Sequence, residues 1–109
     1  MVIMNITDET YVVLTPNSSK GWATNGTSFL TKKAGIVTIS FSMRYGDANS
    51  SPTTIPEGYR PVDTIRVAAI TNSGGGAFNI IGTSGVISPI VPLPGTGWVF
   101  FTATWAAHY

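Results

Sequence analysis

Residues 37–45, with the sequence VTISFSMRY, alternate strictly between apolar and polar side chains. The apolar side chains on one face are Val37, Ile39, Phe41, Met43 and Tyr45. The polar side chains on the other face are Thr38, Ser40, Ser42 and Arg44. A period of two is typical of a strand with one face toward a core and the other toward solvent. This stretch therefore predicts a β-strand.

The same alternation recurs along the rest of the chain. We predict further strands whose core-facing residues are Ile65, Val67 and Ala69, then Phe78 and Ile80, then Val86 and Ile90. Clusters of Gly, Pro, Asn and Ser predict the turns between them, at 46–52, 72–76, 82–85 and 92–97. The cluster GTSG at 82–85 is flanked by apolar runs, which favours a short hairpin.

Glycine (12) and proline (7) recur so often that no stretch combines helix caps with an apolar stripe at helical spacing. We predict an all-β fold, an antiparallel β-sandwich or jelly-roll-like barrel of about seven to nine strands. The length suits a single domain, 1–109. Within it, residues 1–20 are interpreted either as containing a first strand, Thr10 to Thr15, or as the remnant of a shaft or linker.

The composition restricts the classes of partner. Charged residues make up only 10% of the chain, against roughly 25% in ordinary soluble domains. Much of the surface must therefore be neutral, which favours a buried subunit interface. A net charge of +1 with scattered cations argues against a nucleic-acid partner. No apolar run approaches the roughly 20 residues of a membrane span, so we expect no membrane insertion.

The last predicted strand has two apolar faces. One face carries Trp98, Phe100, Thr102 and Thr104. The other face carries Val99, Phe101, Ala103 and Trp105. A strand that is apolar on both sides is normally covered on both sides. The second face therefore needs either another layer or another subunit, and the low charge favours a subunit.

The residues needed for catalysis are scarce. There is no cysteine, and the one histidine, His108, stands next to the C-terminus without a nucleophile elbow elsewhere. A glycosidase would need two facing acids, and Asp47 with Glu57 or Asp63 is the pairing available. Nothing marks either pair, and no ligand spacing for a metal is present. We predict no enzyme, no metal site and no cofactor.

Polar loops on a rigid β scaffold suit recognition of a neutral polar ligand such as a saccharide. The candidate ligand-binding residues are Trp22, Arg44, Tyr45, Asp47, Asn49, Asn72 and Asn79. The alternative for each is a solvated loop residue, or for Trp22 a core or interface residue.

Residues 55–61, IPEGYRP, form a short charged segment between two prolines. Pro56 and Pro61 restrict φ and Gly58 permits positive φ, which predicts a stiff bend with the ring of Tyr59 packed inward. The alternative is functional, in which Glu57 and Arg60 reach a ligand or pair with each other or with a neighbouring subunit.

The order of these segments resembles the C-terminal head domains of tail-fibre and baseplate receptor-binding proteins from tailed phages, especially siphophages of Gram-positive bacteria. In those domains a G-x-V-x-I strand precedes an LPxGYRP turn, a G-x-I hairpin and an aromatic last strand. This chain has Gly35–Ile39, Ile55–Pro61, Gly85–Ile87 and Trp98–Trp105 in those places. Ile55 replaces the usual leucine, and PEGYRP is the most specific part of the match.

The resemblance implies a β-sandwich head at the phage tail tip that binds host cell-wall or cell-surface saccharide as a homotrimer, joined to the rest of the fibre or baseplate. It carries no specific sugar-binding positions across, because these vary with the host. Two alternatives stay open: a purely structural cap that trimerises a fibre, and a glycan depolymerase that uses Asp47 or Glu57.

Overall fold

The computed structural model describes residues 9–47, 49–72, 74–90 and 97–107. Its strands are β1 (Glu9–Val13), β2 (Ala23–Thr24), β3 (Phe29–Lys33), β4 (Ile36–Arg44), β5 (Ile65–Thr71), β6 (Gly74–Ile80), β7 (Ile87–Pro89) and β8 (Trp98–Ala106). One turn of 3-10 helix, Ser18–Lys20, is the only helical element in these ranges. The predicted all-β class is confirmed, with eight strands in the described part of the chain.

All eight strands belong to one antiparallel sheet in the order β1-β3-β4-β8-β5-β6-β7, and β2 pairs with the end of β4. In a flat sheet, β4 and β6 would be three strand spacings apart, roughly 14 Å. The rings of Phe41 on β4 and Phe78 on β6 are instead 5.9 Å apart between centroids. Phe101 on β8 packs against both, at 4.7 and 5.5 Å. The sheet therefore curls into a half-barrel around these three rings.

The pairing of β4 with β8 forms the centre of the sheet. It runs without a break from Ile36 opposite Ala106 to Arg44 opposite Trp98. On the concave side the four apolar residues of β4 that were predicted to face inward are all buried, namely Val37, Ile39, Phe41 and Met43. Hydroxyl side chains occupy the other side, as the period of two requires.

Several sequence predictions differ from the structure in detail. On β7 the buried side chain is Ile87, whereas Val86 is half-buried and Ile90 is exposed, so the prediction of Val86 and Ile90 as core residues was wrong. The physical reason is the β6–β7 register, which pairs Ile87 with the buried Ile80 and so puts Ile87, one residue after Val86, on the core side. The turn predicted at 72–76 is shorter than expected, because β6 already begins at Gly74.

The first strand, predicted at Thr10 to Thr15, is found at Glu9–Val13. The rest of the N-terminal prediction, for residues 1–8, lies outside the described residues. So do His108 and all of the predicted turn at 92–97 except its last residue, Gly97.

The bend predicted at residues 55–61 is present, with φ of 91° at Gly58, and Arg60 helps to hold it. The Nε atom of Arg60 donates to the carbonyl of Ile55 at 2.9 Å, and its Nη1 donates to the carbonyl of Thr83 at 3.3 Å. Arg60 thus binds backbone rather than Glu57. The bend also packs on the β6–β7 turn, because a Cβ on Gly85 would come within 2.2 Å of the Ile55 carbonyl. Two of the four segments that carry the resemblance, Ile55–Pro61 and Gly85–Ile87, are therefore in contact.

Candidate functional site

Polar and aromatic side chains gather where β4 ends and β8 begins. Arg44 lies opposite Trp98 in the β4–β8 ladder, and the backbone N–H of Trp98 donates to Oδ1 of Asn72 at 3.2 Å. Asp47 and Asn49 follow Arg44 on an exposed loop. We call the surface formed by Arg44, Asp47, Asn49, Asn72 and Trp98 the loop end. The sequence predicted four of its five members.

The loop that carries Asp47 and Asn49 is held by backbone contacts. Asp47 N–H donates to the carbonyl of Lys20 at 2.7 Å, and Oδ1 of Asp47 accepts from Asn49 N–H at 2.9 Å. Gly46 makes this contact possible, because a Cβ there would lie 2.3 Å from the Lys20 carbonyl and 2.4 Å from the nitrogen of Trp22. Two backbone segments meet at a position that accepts only glycine.

Trp22 lies beneath this loop and is only 2% exposed. Its ring meets Tyr45 edge to face, with centroids 6.2 Å apart, and its Nε1 donates to Oγ of Ser50 at 2.9 Å. The structure therefore places Trp22 in the core, the alternative that the sequence left open for this residue. In this position the indole supports the loop end and offers no face to a ligand.

Tyr45 and Asn79 each contain a buried polar atom. Among the described residues, neither the hydroxyl of Tyr45 nor Oδ1 of Asn79 has a hydrogen-bond partner. Tyr45 borders the loop end, since its N–H donates to the carbonyl of Gly97 at 2.9 Å. Asn79 is on β6 opposite Arg66 and Ser88, far along the sheet from Asn72. The structure does not bring Asn79 together with the other candidates.

Sequence reasoning missed Trp98 and its neighbour Phe100 as possible ligand contacts. Their rings stack at 5.1 Å between centroids with an interplanar angle of 19°, and Phe100 is 38% exposed. The sequence assigned both to an apolar face that needed a subunit. Only the β4–β8 register shows that Trp98 adjoins Arg44. An aromatic face beside a guanidinium and a carboxamide can bind an apolar patch and hydroxyls of one ligand.

The acids predicted as alternative catalytic residues are far apart. Asp47 follows Arg44, whereas the neighbour of Glu57, Gly58, accepts a hydrogen bond from Lys32 near the start of β4. The nine residues of β4 separate these ends by about 26 Å at roughly 3.3 Å per residue. Asp63 lies at the same end as Glu57, beside Gly82 and the Pro61–Ala107 bridge. Paired glycosidase carboxyls need about 5 to 9.5 Å, so one chain does not assemble either pair.

The described residues contain neither a metal-binding cluster nor a membrane-spanning helix. No group of three or more His, Cys, Asp or Glu side chains there is placed to hold a metal ion. No helix in those residues has the length and apolar character needed to cross a membrane.

Comparison with solved structures finds the same fold in a phage protein. The receptor binding protein (gp15) of Listeria phage PSA matches 95% of this chain and 68% of its own chain, with a TM-score of 0.74 at 12% sequence identity. At that identity the likeness establishes the fold alone. No protein family model matches the sequence. No curated protein matches it either.

Proposed function

We propose that this chain is the receptor-binding domain of a phage tail fibre or baseplate, which attaches the virion to saccharide on the host surface as a homotrimer. The observation that carries the proposal is the fold that the chain shares, over 95% of its length, with the receptor binding protein of Listeria phage PSA. The packing of PEGYRP against the GTSG turn adds support, because two of the four segments of the sequence resemblance are in contact.

The loop end is the proposed saccharide site. Trp98 supplies an aromatic surface, Arg44 supplies a fork of donors, and Asp47 supplies acceptors. The supporting loop is fixed by Gly46 and Trp22, so little ordering is required when a ligand binds. A neutral sugar fits this mixture better than a highly charged polymer, since cation and carboxylate stand within the same small surface.

The convex side of the sheet is the proposed subunit interface. Of the seven large hydrophobic side chains exposed in the described part of the chain, five share this side: Tyr11, Val13, Ile36, Ile70 and Phe100. We call this surface the outer face. Serine and threonine side chains from β4 and β8 lie between them. Charged side chains on this side, Lys33, Arg44 and Arg66, lie near the strand ends. Trp98 lies on this side too, so the loop end adjoins the outer face. Exposed apolar residues with a polar rim are characteristic of protein interfaces. A second and third copy of this chain are its proposed occupants.

The receptor-binding proposal is tested by titrating the protein with cell-wall polysaccharides purified from a panel of Gram-positive strains. At least one polysaccharide is expected to bind, and Trp98→Ala is expected to weaken that binding by roughly tenfold, as loss of an aromatic anchor does. Val62→Ala is the control, because Val62 is exposed and follows Pro61, which bridges Ala107 at the opposite end of β8 from Trp98. A Trp98→Ala protein that binds as well as the control contradicts the assignment of the loop end.

The runner-up function is a structural cap that trimerises a fibre and binds no ligand. The outer face supports it equally well, so oligomeric state does not separate the two. The polysaccharide titration does: trimers that bind nothing across the panel favour the cap. The depolymerase alternative would require sugar release that depends on Asp47 or Glu57, and the distance between these acids within a chain counts against it.

A further inference from the structure

A hollow of about 300 Å³ lies at the other end of the sheet from the loop end. It is bounded by β1, the β3–β4 turn and the bend at residues 55–61. Its lining residues are Thr10, Lys32, Ala34, Gly35, Gly58 and Tyr59. Neither the proposed saccharide site nor the proposed subunit interface uses this hollow.

The ammonium of half-buried Lys32 forms one wall of the hollow. It donates to the carbonyl of Gly58 at 2.7 Å and lies 5.5 Å from the centroid of the Tyr59 ring. Both partners are neutral, and no acidic residue is among the six that line the hollow. The exposed Glu57 precedes Gly58 in the chain but does not line the hollow. The charge of Lys32 therefore gives the hollow a positive potential that favours an anion.

A hydroxyl donor stands beside the ammonium. The hydroxyl of Tyr59 donates to Oγ1 of Thr10 at 2.6 Å. Because Thr10 accepts in this bond, its own hydroxyl proton is left to donate to a ligand. The hollow thus combines a cation, a hydroxyl donor and an aromatic ring.

Small residues in the β3–β4 turn and in the bend keep the hollow open. A Cβ added to Gly35 or Gly58 would meet no atom within 4 Å. Ala34 is the one non-glycine residue with positive φ in the described ranges, at 51°. Asparagine and glycine are the usual choices at such a position in a two-residue hairpin turn, because they tolerate this conformation better. Alanine strains the turn, yet its methyl group fills less of the hollow than an asparagine side chain would.

We propose that this hollow binds a carboxylate or phosphate group carried on a small polyol or sugar. Lys32 neutralises the anion, Thr10 donates a hydrogen bond, and the ring of Tyr59 packs against the body of the ligand. The volume is at the lower end of the roughly 300–1,000 Å³ typical of small-molecule sites, which suits a body the size of one monosaccharide. The proposal does not depend on the receptor-binding function.

Three probes with the same ring test the proposal: glucose, glucuronate and glucose 6-phosphate. In an amide NMR titration, both anions are expected to shift Gly35, Gly58 and Tyr59 and to bind roughly tenfold more tightly than glucose, as a charge-assisted contact implies. Added salt is expected to weaken both. Equal affinity for glucose, no shift with either anion, or shifts confined to the loop end would each overturn the proposal.

Two pairs of variants locate the contact. Lys32→Met is expected to remove the preference for the anions, whereas Lys33→Met, at its exposed neighbour, is expected to keep it. Ala34→Asn and Ala34→Gly both relax the turn and are expected to raise the melting temperature, but only Asn reaches into the hollow and lowers affinity. Wild-type anion binding by Lys32→Met, or equal affinity in the two Ala34 variants, would overturn the assignment. If Lys32→Met does not fold, the difference in anion affinity between Ala34→Asn and Ala34→Gly still tests the proposal.

Discussion

The indole Nε1 of Trp105 donates a hydrogen bond of 2.7 Å to the backbone carbonyl of Tyr59. This bond joins the last strand to the bend at residues 55–61, forty-six positions earlier in the chain. The bridge between Pro61 and Ala107 reinforces the same junction. The bend is thereby fixed to the centre of the sheet, and Tyr59 is held where it lines the hollow.

Replacing Trp105 with Phe is expected to lower the free energy of unfolding by about 1–3 kcal/mol, because the Tyr59 carbonyl loses its donor in a partly buried site. Urea denaturation measures this as a lower midpoint at unchanged slope. Trp98→Phe is the matched control at a half-exposed indole on the same strand. Equal midpoints for the two variants would show that the Trp105 bond contributes nothing.

Gly85→Ala is expected to destabilise the fold more than Gly26→Ala. Both glycines have positive φ, at 73° and 85°, so both alanines are strained by about 1–2 kcal/mol. At Gly85 the new methyl also meets the Ile55 carbonyl and Nε of Arg60, whereas at Gly26 it meets nothing within 4 Å. Overpacking adds roughly 1–3 kcal/mol at Gly85 alone. Thermal and urea unfolding of the pair isolate this packing contribution, and equal losses would refute the close contact.

Gly46→Ala is expected to disturb the loop end. Its methyl would collide with backbone on the 20–22 segment, costing about 2 kcal/mol of stability and displacing Asp47 and Asn49. Gly75→Ala is the control, since its nearest contact is an ordinary 3.9 Å to the Ala69 carbonyl. Stability is followed by denaturation and polysaccharide affinity by calorimetry. A Gly46→Ala protein that matches the control in both measurements would contradict the docking of this loop.

Ile70→Lys is expected to shift the proposed trimer toward monomer, because it places a charge among the exposed apolar residues of the outer face. Val62→Lys is the control: the two side chains are 56% and 59% exposed, but Val62 belongs to none of the strands that form that face. Sedimentation equilibrium at micromolar concentration distinguishes them. A monomeric wild-type protein, or equal dissociation of both variants, would rule out the outer face as the trimer interface.

The alternation in residues 37–45 was sufficient to predict β4 and its buried side, because a period of two is a local property of the chain. The shared face of Ile65, Val67 and Ala69 was predicted for the same reason. The prediction failed at Val86 and Ile90, because β7 pairs with β6 in the register that places Ile87 opposite Ile80. Register depends on turn geometry and pairing, which the alternation alone does not specify.

The candidate site was predictable only in part. Arg44, Asp47 and Asn49 are close in sequence, so their grouping follows from one loop. Trp22 shows why the rest was not predictable. A tryptophan among polar residues can either bind a ligand or belong to the core, and only its burial under the loop assigns it to the core. Trp98 was recognised as part of an apolar face, but its position beside Arg44 depends on pairing with a residue 54 positions earlier in the chain.

The sequence by itself determined the all-β class, the main inward faces and the position of the bend, because side-chain alternation and the φ restrictions of proline act over neighbouring residues. Only the tertiary structure decided how far the sheet curls, which aromatic residues stay on its surface, and that Lys32, Thr10 and Tyr59 meet around a hollow. Those features depend on pairings between distant segments, for which packing of the whole core selects the arrangement.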